Sequence, residues 1–254
     1  MILADMHIHS TFTDGQLSIP EIVDFYGVRG FGCIAITDHI CEDFGLLGRA
    51  ARYLNRTLTH ATFPIYMAII KSESERAWKE YRMVVLPGFQ LSKNCIFSRS
   101  SSHIIALGTS EYVSADCDVV DIARAVRSQG GLAIAAHSAS LRKFKHQPLG
   151  LWLRRKELAK EFDAWEVANG SIFFDEVKAS GLPVLASSGF HKPKDINSWK
   201  TLIDSERDPA AILEAVRKQR LKFMFYREVP SALRSSHLPF LDDGYPPLDR
   251  GTGL

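Results

Sequence analysis

The first apolar run of the chain leads into Ala4-Asp5-Met6-His7-Ile8-His9-Ser10-Thr11-Phe12-Thr13-Asp14-Gly15. Side chains alternate along an extended strand, so His7 and His9 share one face and Ile8 takes the other. Such a pair is a surface accident, a core oddity or half of a metal site. Six of the nine histidines stand at an end of an apolar run: His7, His9, His39 after "CIAITD", His103 opening "HIIALG", His137 closing "LAIAAH" and His191 just past "LPVLASSGF". A single strand-end histidine is more often an ordinary hydrogen-bonded side chain, but six at strand ends suit a site built on one rim of a barrel. The nearby carboxylates are Asp14, Asp38 and Glu166, and Asp5 stands where it could orient the His7 imidazole as an acceptor. Imidazole nitrogen with carboxylate oxygen suits zinc, manganese or iron, and hydrolases use such rims to hold a phosphate and activate water. The plainer readings are a turn at Asp14-Gly15 and a cap at Asp38.

These residues need strands and helices to bring them together. Short apolar runs alternate with helical periods, the pattern of βα units. The predicted strands are Ile2 to Met6, Gly32 to Thr37, Met83 to Pro87, Ile104 to Leu107, Leu132 to Ala136, Ala164 to Val167 and Pro183 to Ala186. Helices are predicted from Pro20 toward Gly30, over Ile65 to Arg82, over Asp118 to Gln129 and over Pro209 to Gln219. His103 begins its strand, and the Leu91 to Ser102 link before it is Ser-rich and poor as a crossover helix. If that link is a wide hairpin, the strand runs backwards and returns His103 to the common rim.

The 254 residues fall within the range that α/β barrels fill as one unit, with 46% hydrophobic and 24% charged residues, an ordinary globular balance. A net charge of +2 gives little support to nucleic acid or an anionic membrane as partner. No apolar run approaches the ~20 residues of a membrane span. Cys33, Cys41, Cys95 and Cys117 show no C-x-x-C spacing and the first residues do not read as a signal peptide, so a reduced cytoplasmic protein is expected. Residues 1–228 are expected to form one domain and the Pro/Gly-rich 229–254 a tail.

"DMHIHSTFTDG", "AITDH", the Pro87-to-Gln90 segment, "HIIALG", "AAHS" and "SSGFH" together resemble the ordered motifs of the PHP (polymerase and histidinol phosphatase) superfamily. The match runs from Ile2 to about Trp199, and "FDAWEVAN" and "SWKTLI" resemble small stand-alone members. The resemblance implies a distorted seven-stranded (β/α) barrel with up to three divalent metals at the C-terminal rim. It also implies hydrolysis of a small phosphomonoester, of nucleotide or histidinol-phosphate kind. By the same resemblance His7 and His9 match ligands of a first metal, His103 and His137 those of a second, and Asp14, His39 and His191 those of a third. Gln90 stands where the family has a bridging Glu, and Gly189 where it has an Asp. A neutral amide bridges cations poorly and glycine has no side chain, so fewer than three zinc, manganese or iron ions are expected. His137, His191 and Asp38 are the candidate catalytic groups, the two imidazoles as proton donors to the leaving oxygen. Lys93, Arg99 and Lys192 are candidates to hold the phosphate. The alternative is a protein of the same fold that binds a metal or a phosphorylated ligand without turnover. A weaker alternative is a nuclease using "LRKFKH" (Leu141 to His146) and Arg154-Arg155-Lys156, which read more simply as a solvated face.

Overall fold

A computed structural model describes residues 1–43, 50–51, 54–93, 101–136 and 150–228. The predicted tail, Arg99, His137 and the basic Leu141 to His146 segment lie outside the described residues. Chain order is β1 (Ile2–Ile8), α1 (Ile19–Gly27), β2 (Cys33–Ile36), β3 (His39–Cys41), α2 (Phe63–Tyr81), β4 (Val84–Leu86), β5 (Gly88–Lys93), β6 (Ser102–Leu107), α3 (Val119–Ser128) and β7 (Leu132–Ala136). There follow α4 (Gly150–Leu153), α5 (Arg155–Leu158), β8 (Ala164–Asn169), β9 (Ile172–Phe173), α6 (Asp175–Ala179), β10 (Val184–Ser187), β11 (Trp199–Ile203), α7 (Pro209–Arg217) and β12 (Leu221–Phe225).

Two of the helices begin where their caps say. Ser18 and Glu21 form a capping box with Pro20 in the first turn of α1, and the Asp118 side chain accepts from the Val120 N–H at the start of α3. Ile122, Ala123 and Val126 of α3 are buried along one stripe, as the 3.6-residue period requires.

Among the described residues the strands pair as two sheets, β12-β11-β1-β2-β4 and β10-β8-β7-β6-β5-β3, with β9 beside β8. The expected α/β alternation is present. The strands expected to form a seven-stranded ring pair among the described residues as these two sheets, and a closed ring is not traced among them. Pro87, which lacks the N–H a ladder needs, separates β4 from β5, so one continuous stretch of chain passes from the first sheet into the second. A parallel bridge between Ile8 and Phe190 and the Thr201 hydroxyl bonded to the backbone of Ala186 tie the sheets at their other seam.

Two buried layers result. One packs strand side chains such as Ile34, Ile36 and Val85 under α1, α2 and α3. The other is almost all strand, drawn from both sheets: Ala4, Met6, Cys33, Leu86, Ile105, Ile134 and Leu185, closed by Ile212 and Val216 of α7. Because α7 presses Leu213 against Gly108, just past the far end of β6, it seals the end remote from His103. The opposite end is left to the polar residues.

The β6 strand is antiparallel to both neighbours, with His103 facing Ser92 of β5 and Ala136 of β7. The strand therefore does run backwards and His103 does return to the rim where the parallel strands end.

Candidate metal centre at the strand ends

The loop after β1 is shaped by its backbone. Gly15 donates to the Ser10 carbonyl (2.9 Å), Thr13 to the same carbonyl (3.1 Å) and Gln16 to the carbonyl of His191 (2.7 Å). A Cβ at Gly15 would stand 2.1 Å from the His9 carbonyl oxygen, so only glycine fits this turn. Asp38 clamps the same loop: its oxygens accept from the Ser10 N–H (2.9 Å), the Ser10 hydroxyl (2.6 Å) and the Thr13 hydroxyl (2.5 Å). Fully buried, Asp38 has its carboxyl pushed up by burial, which these bonds partly oppose. The sequence suggests a catalytic Asp38; in the structure its carboxylate is occupied in holding the loop that carries Asp14.

With the loop in place, His9, Asp14, His39 and His191 converge, one ligand atom of each lying within 4.8 Å of every other. His191 Nε2 is 3.3 Å from Asp14 Oδ2, His39 Nε2 is 3.6 Å from Asp14 Oδ1, and His9 Nδ1 is 3.8 Å from Asp14 Oδ1. The His9 ring stacks between those of His39 and His191, with centroids 4.4 and 4.3 Å away. Side-chain exposure rises across the group, from 1% at His9 and 16% at His39 to 27% at Asp14 and 37% at His191, so the cluster opens to solvent on the Asp14 and His191 side.

The electrostatics suit a cation. Burial, reinforced by His39, His7 and His191, holds the His9 imidazole well below its ordinary value, so it is neutral near pH 7 with a lone pair to give. Burial works to raise the Asp14 carboxyl, but contacts with His191 and His39 outweigh it and leave the group ionised far below the usual carboxylate range. Burial works to lower His191, yet Asp14 beside it raises it on balance. His191 Nδ1 lies 2.8 Å from the Gly189 carbonyl, which fixes its proton there and frees Nε2, and His39 Nδ1 lies 2.8 Å from the Ser92 hydroxyl. His9 Nδ1 is buried with no hydrogen-bond partner. Ligands about 2.1 Å from a tetrahedral centre stand about 3.4 Å apart, close to the 3.3 to 3.8 Å measured to Asp14. These residues fit a divalent metal.

The remaining sequence candidates are placed as follows. His7 sits behind His9, its Nε2 2.9 Å from His9 Nε2 and its Nδ1 2.8 Å from Glu166 Oε1. Asp5, expected beside His7, instead faces Lys200 (3.2 Å), the Tyr26 hydroxyl (2.8 Å) and Ser188. Three residues of β1 pass between the partners of Asp5 and Ile8 while β2 advances two, and this extra residue shifts the alternation and aims His7 away from Asp5. Gln90 is buried beside His39 on the neighbouring strand; its Nε2 donates to Ser92 Oγ (3.3 Å) and its Oε1 has no partner. His103 is half-buried, its ring centroid 6.4 Å from that of His39. Gly189 has φ +57°, and a Cβ there would meet Asn169 Oδ1 at 2.7 Å. Lys93 donates to the carbonyls of Ala115 (2.7 Å) and Cys117 (3.0 Å), with Glu42 3.7 Å away. Lys192, half-buried, follows His191 and donates its backbone N–H to Asp195 Oδ2 (3.1 Å).

Sequence reasoning missed Ser92, Asn169, Ser187 and Lys200. The one signal was Lys200 itself, a lone cation between the apolar Trp199 and Leu202 of a predicted terminal motif. No helix among the described residues is long and apolar enough to cross a membrane.

Neither a protein-family model nor a curated protein matches the chain. Solved structures do. A two-domain protein from Bacteroides vulgatus, described as containing a predicted PHP-like metal-dependent phosphoesterase, superposes with a TM-score of 0.63 at 19% identity over 89% of this chain. PsfC from Pseudomonas syringae superposes with a TM-score of 0.55 at 11% identity, covering 89% of this chain and 91% of its own. This chain spans 65% of the length of the Bacteroides protein. The likeness is one of fold.

Proposed function

We propose that the chain is a metal-dependent phosphoesterase of PHP type that works with fewer cations than three, centred on His9, Asp14, His39 and His191, and acts on a small phosphomonoester. The observation that carries this is the convergence of three imidazoles and one ionised carboxylate, with the His9 Nδ1 lone pair unpartnered, at a mouth open to solvent. The shared fold with the Bacteroides protein supports it. A divalent zinc, manganese or iron ion held there supplies polarisation of a phosphoryl oxygen and hydroxide near neutral pH.

The chain's own residues do the rest. Asp14 brings the single negative charge of the group, His9 a neutral donor and His39 a further imidazole nitrogen. His191 is the most exposed member, and Lys192, next to it in the chain and half-buried, is the cation we assign to the phosphate. With His191 among the ligands, donation of a proton to the leaving oxygen falls to His137, which follows Ala136 at the end of β7 and lies outside the described residues.

Gln90 and Gly189 favour a second reading, a binding protein without turnover, because four protein ligands can saturate a tetrahedral ion whereas catalytic sites keep a position open. Elemental analysis of protein purified without chelator, followed by a panel of phosphomonoesters, separates the two. One bound ion per chain and hydrolysis, both abolished by Asp14→Ala, are expected. A loaded but inert protein would favour the second reading, and a chain that takes up no ion in any added metal would end both.

A further inference from the structure

Behind the four clustered residues runs a buried line of hydrogen bonds that they do not account for. Glu166, in the middle of β8, has no exposed surface. Its Oε1 accepts from the Ser187 hydroxyl, Asn169 Nδ2 lies 3.3 Å from each of its oxygens, and His7 Nδ1 lies 2.8 Å from Oε1. With donors on both oxygens, Glu166 is an acceptor throughout. The short contact to His7 therefore puts a proton on His7 Nδ1.

A neutral imidazole carries one N–H. Protonated at Nδ1, His7 turns a bare Nε2 toward His9 Nε2, 2.9 Å away, and that contact is a hydrogen bond only if His9 Nε2 carries the proton. His9 Nδ1 is then bare. This atom is the one that is buried without a partner and aimed at the cluster. Its distance to Asp14 Oδ1 agrees: an N–H beside an ionised carboxylate closes to about 2.8 Å, whereas the separation is 3.8 Å.

We propose that Glu166 and His7 are positioning residues, a carboxylate–imidazole relay that holds His9 in its Nε2–H form, so that His9 offers Nδ1 to a divalent cation while His7 stands outside the ligand set. The inference rests on the metal-centre reading above and gives that site a supporting element from a strand on which none of its ligands lies. It also accounts for both histidines of the pair with one ion, since His9 ligates and His7 is consumed in orienting it.

The test uses the full chain labelled with nitrogen-15 at histidine and freed of metal by chelator. Two-bond proton–nitrogen correlation spectra read each tautomer directly, and the expected result is His7 protonated at Nδ1 and His9 at Nε2. On adding Zn2+, His9 Nδ1 shifts and the protonation of His7 does not change. Glu166→Met removes the acceptor and should weaken Zn2+ binding about 10- to 100-fold in chelator competition, while Glu166→Gln, which keeps an oxygen for His7 and Ser187, should restore most of it. A His9 found protonated at Nδ1, a doubly protonated His7, or a Glu166→Met chain that binds Zn2+ as tightly as the parent would each overturn the relay. Should Glu166→Met fail to fold, the parent spectrum decides alone. A chain with the expected tautomers that binds no Zn2+ overturns the metal-centre reading and the coordinating half of this inference; one Zn2+ bound with the opposite tautomers overturns only the relay.

Discussion

Gly189 stands where the resemblance leads one to expect a carboxylate, and the structure makes that position costly for any side chain. Its φ of +57° lies in the left-handed region, where an L-residue loses about 1–2 kcal/mol relative to glycine. A Cβ would also stand 2.7 Å from Asn169 Oδ1 and 2.9 Å from Asn169 Nδ2. Asn169 would have to leave Glu166, giving up contacts of 3.3 Å worth about 1 kcal/mol in sum at that length. Gly189→Ala should therefore destabilise the metal-free protein by about 2–3 kcal/mol, which for a chain of this size lowers Tm by about 4–12 °C. Thermal unfolding by circular dichroism, with denaturant unfolding as a check, measures this. In an Asn169→Ala background the collision is gone and only the backbone share, about 1–2 kcal/mol, should remain. Equal losses in both backgrounds would refute the steric part of the reasoning, and no loss in either would refute the conformational part. Gly189→Asp should behave as Gly189→Ala does, so adding the missing carboxylate to this loop costs stability before it can gain a cation.

Three other perturbations follow from the same geometry. Lys200 and Asp5 are both fully buried 3.2 Å apart, and burial lowers the lysine against the pull of Asp5; Lys200→Met strands the carboxylate and should cost about 3–5 kcal/mol in denaturant unfolding, with Asp5→Asn/Lys200→Met costing less than the single change. His9, with its pKa below the unfolded value of about 6.5, contributes stability that is present above that pH and lost as pH falls, whereas His191, raised, contributes stability present below it and lost as pH rises. His9 shifts further, so metal-free stability should decline from pH 7 to pH 5, with His9→Gln flattening the decline and His191→Gln steepening it; stability curves at fixed salt show either. Gly15→Ala should displace the loop through its clash with the His9 carbonyl and lower metal affinity at least tenfold in chelator competition, and unchanged affinity would show that the loop tolerates the move.

Most of the architecture was legible in one dimension because it rests on local rules. All seven predicted strands and the four predicted helices are present, since apolar runs, caps and glycine stops act within a few residues of themselves. The backward course of β6 was readable from a Ser-rich link too polar for a crossover helix. Sequence did not show β3, β5, β9, β11 and β12, which are short or carry weaker apolar patterns and are held in place by their neighbours.

At the site the boundary is sharper. Residue type and strand-end position alone brought His9, Asp14, His39 and His191 under suspicion. Only tertiary structure decided that His9 joins the other three while His7 turns to Glu166, because one extra residue in β1 re-aims that side chain and no pattern of residue types records it. The same holds for Asp38 and Lys93. Their charges suggested chemistry, but a carboxylate or an ammonium becomes an anchor or a reactant according to which backbone groups reach it first, and those arrive from parts of the chain far away in sequence.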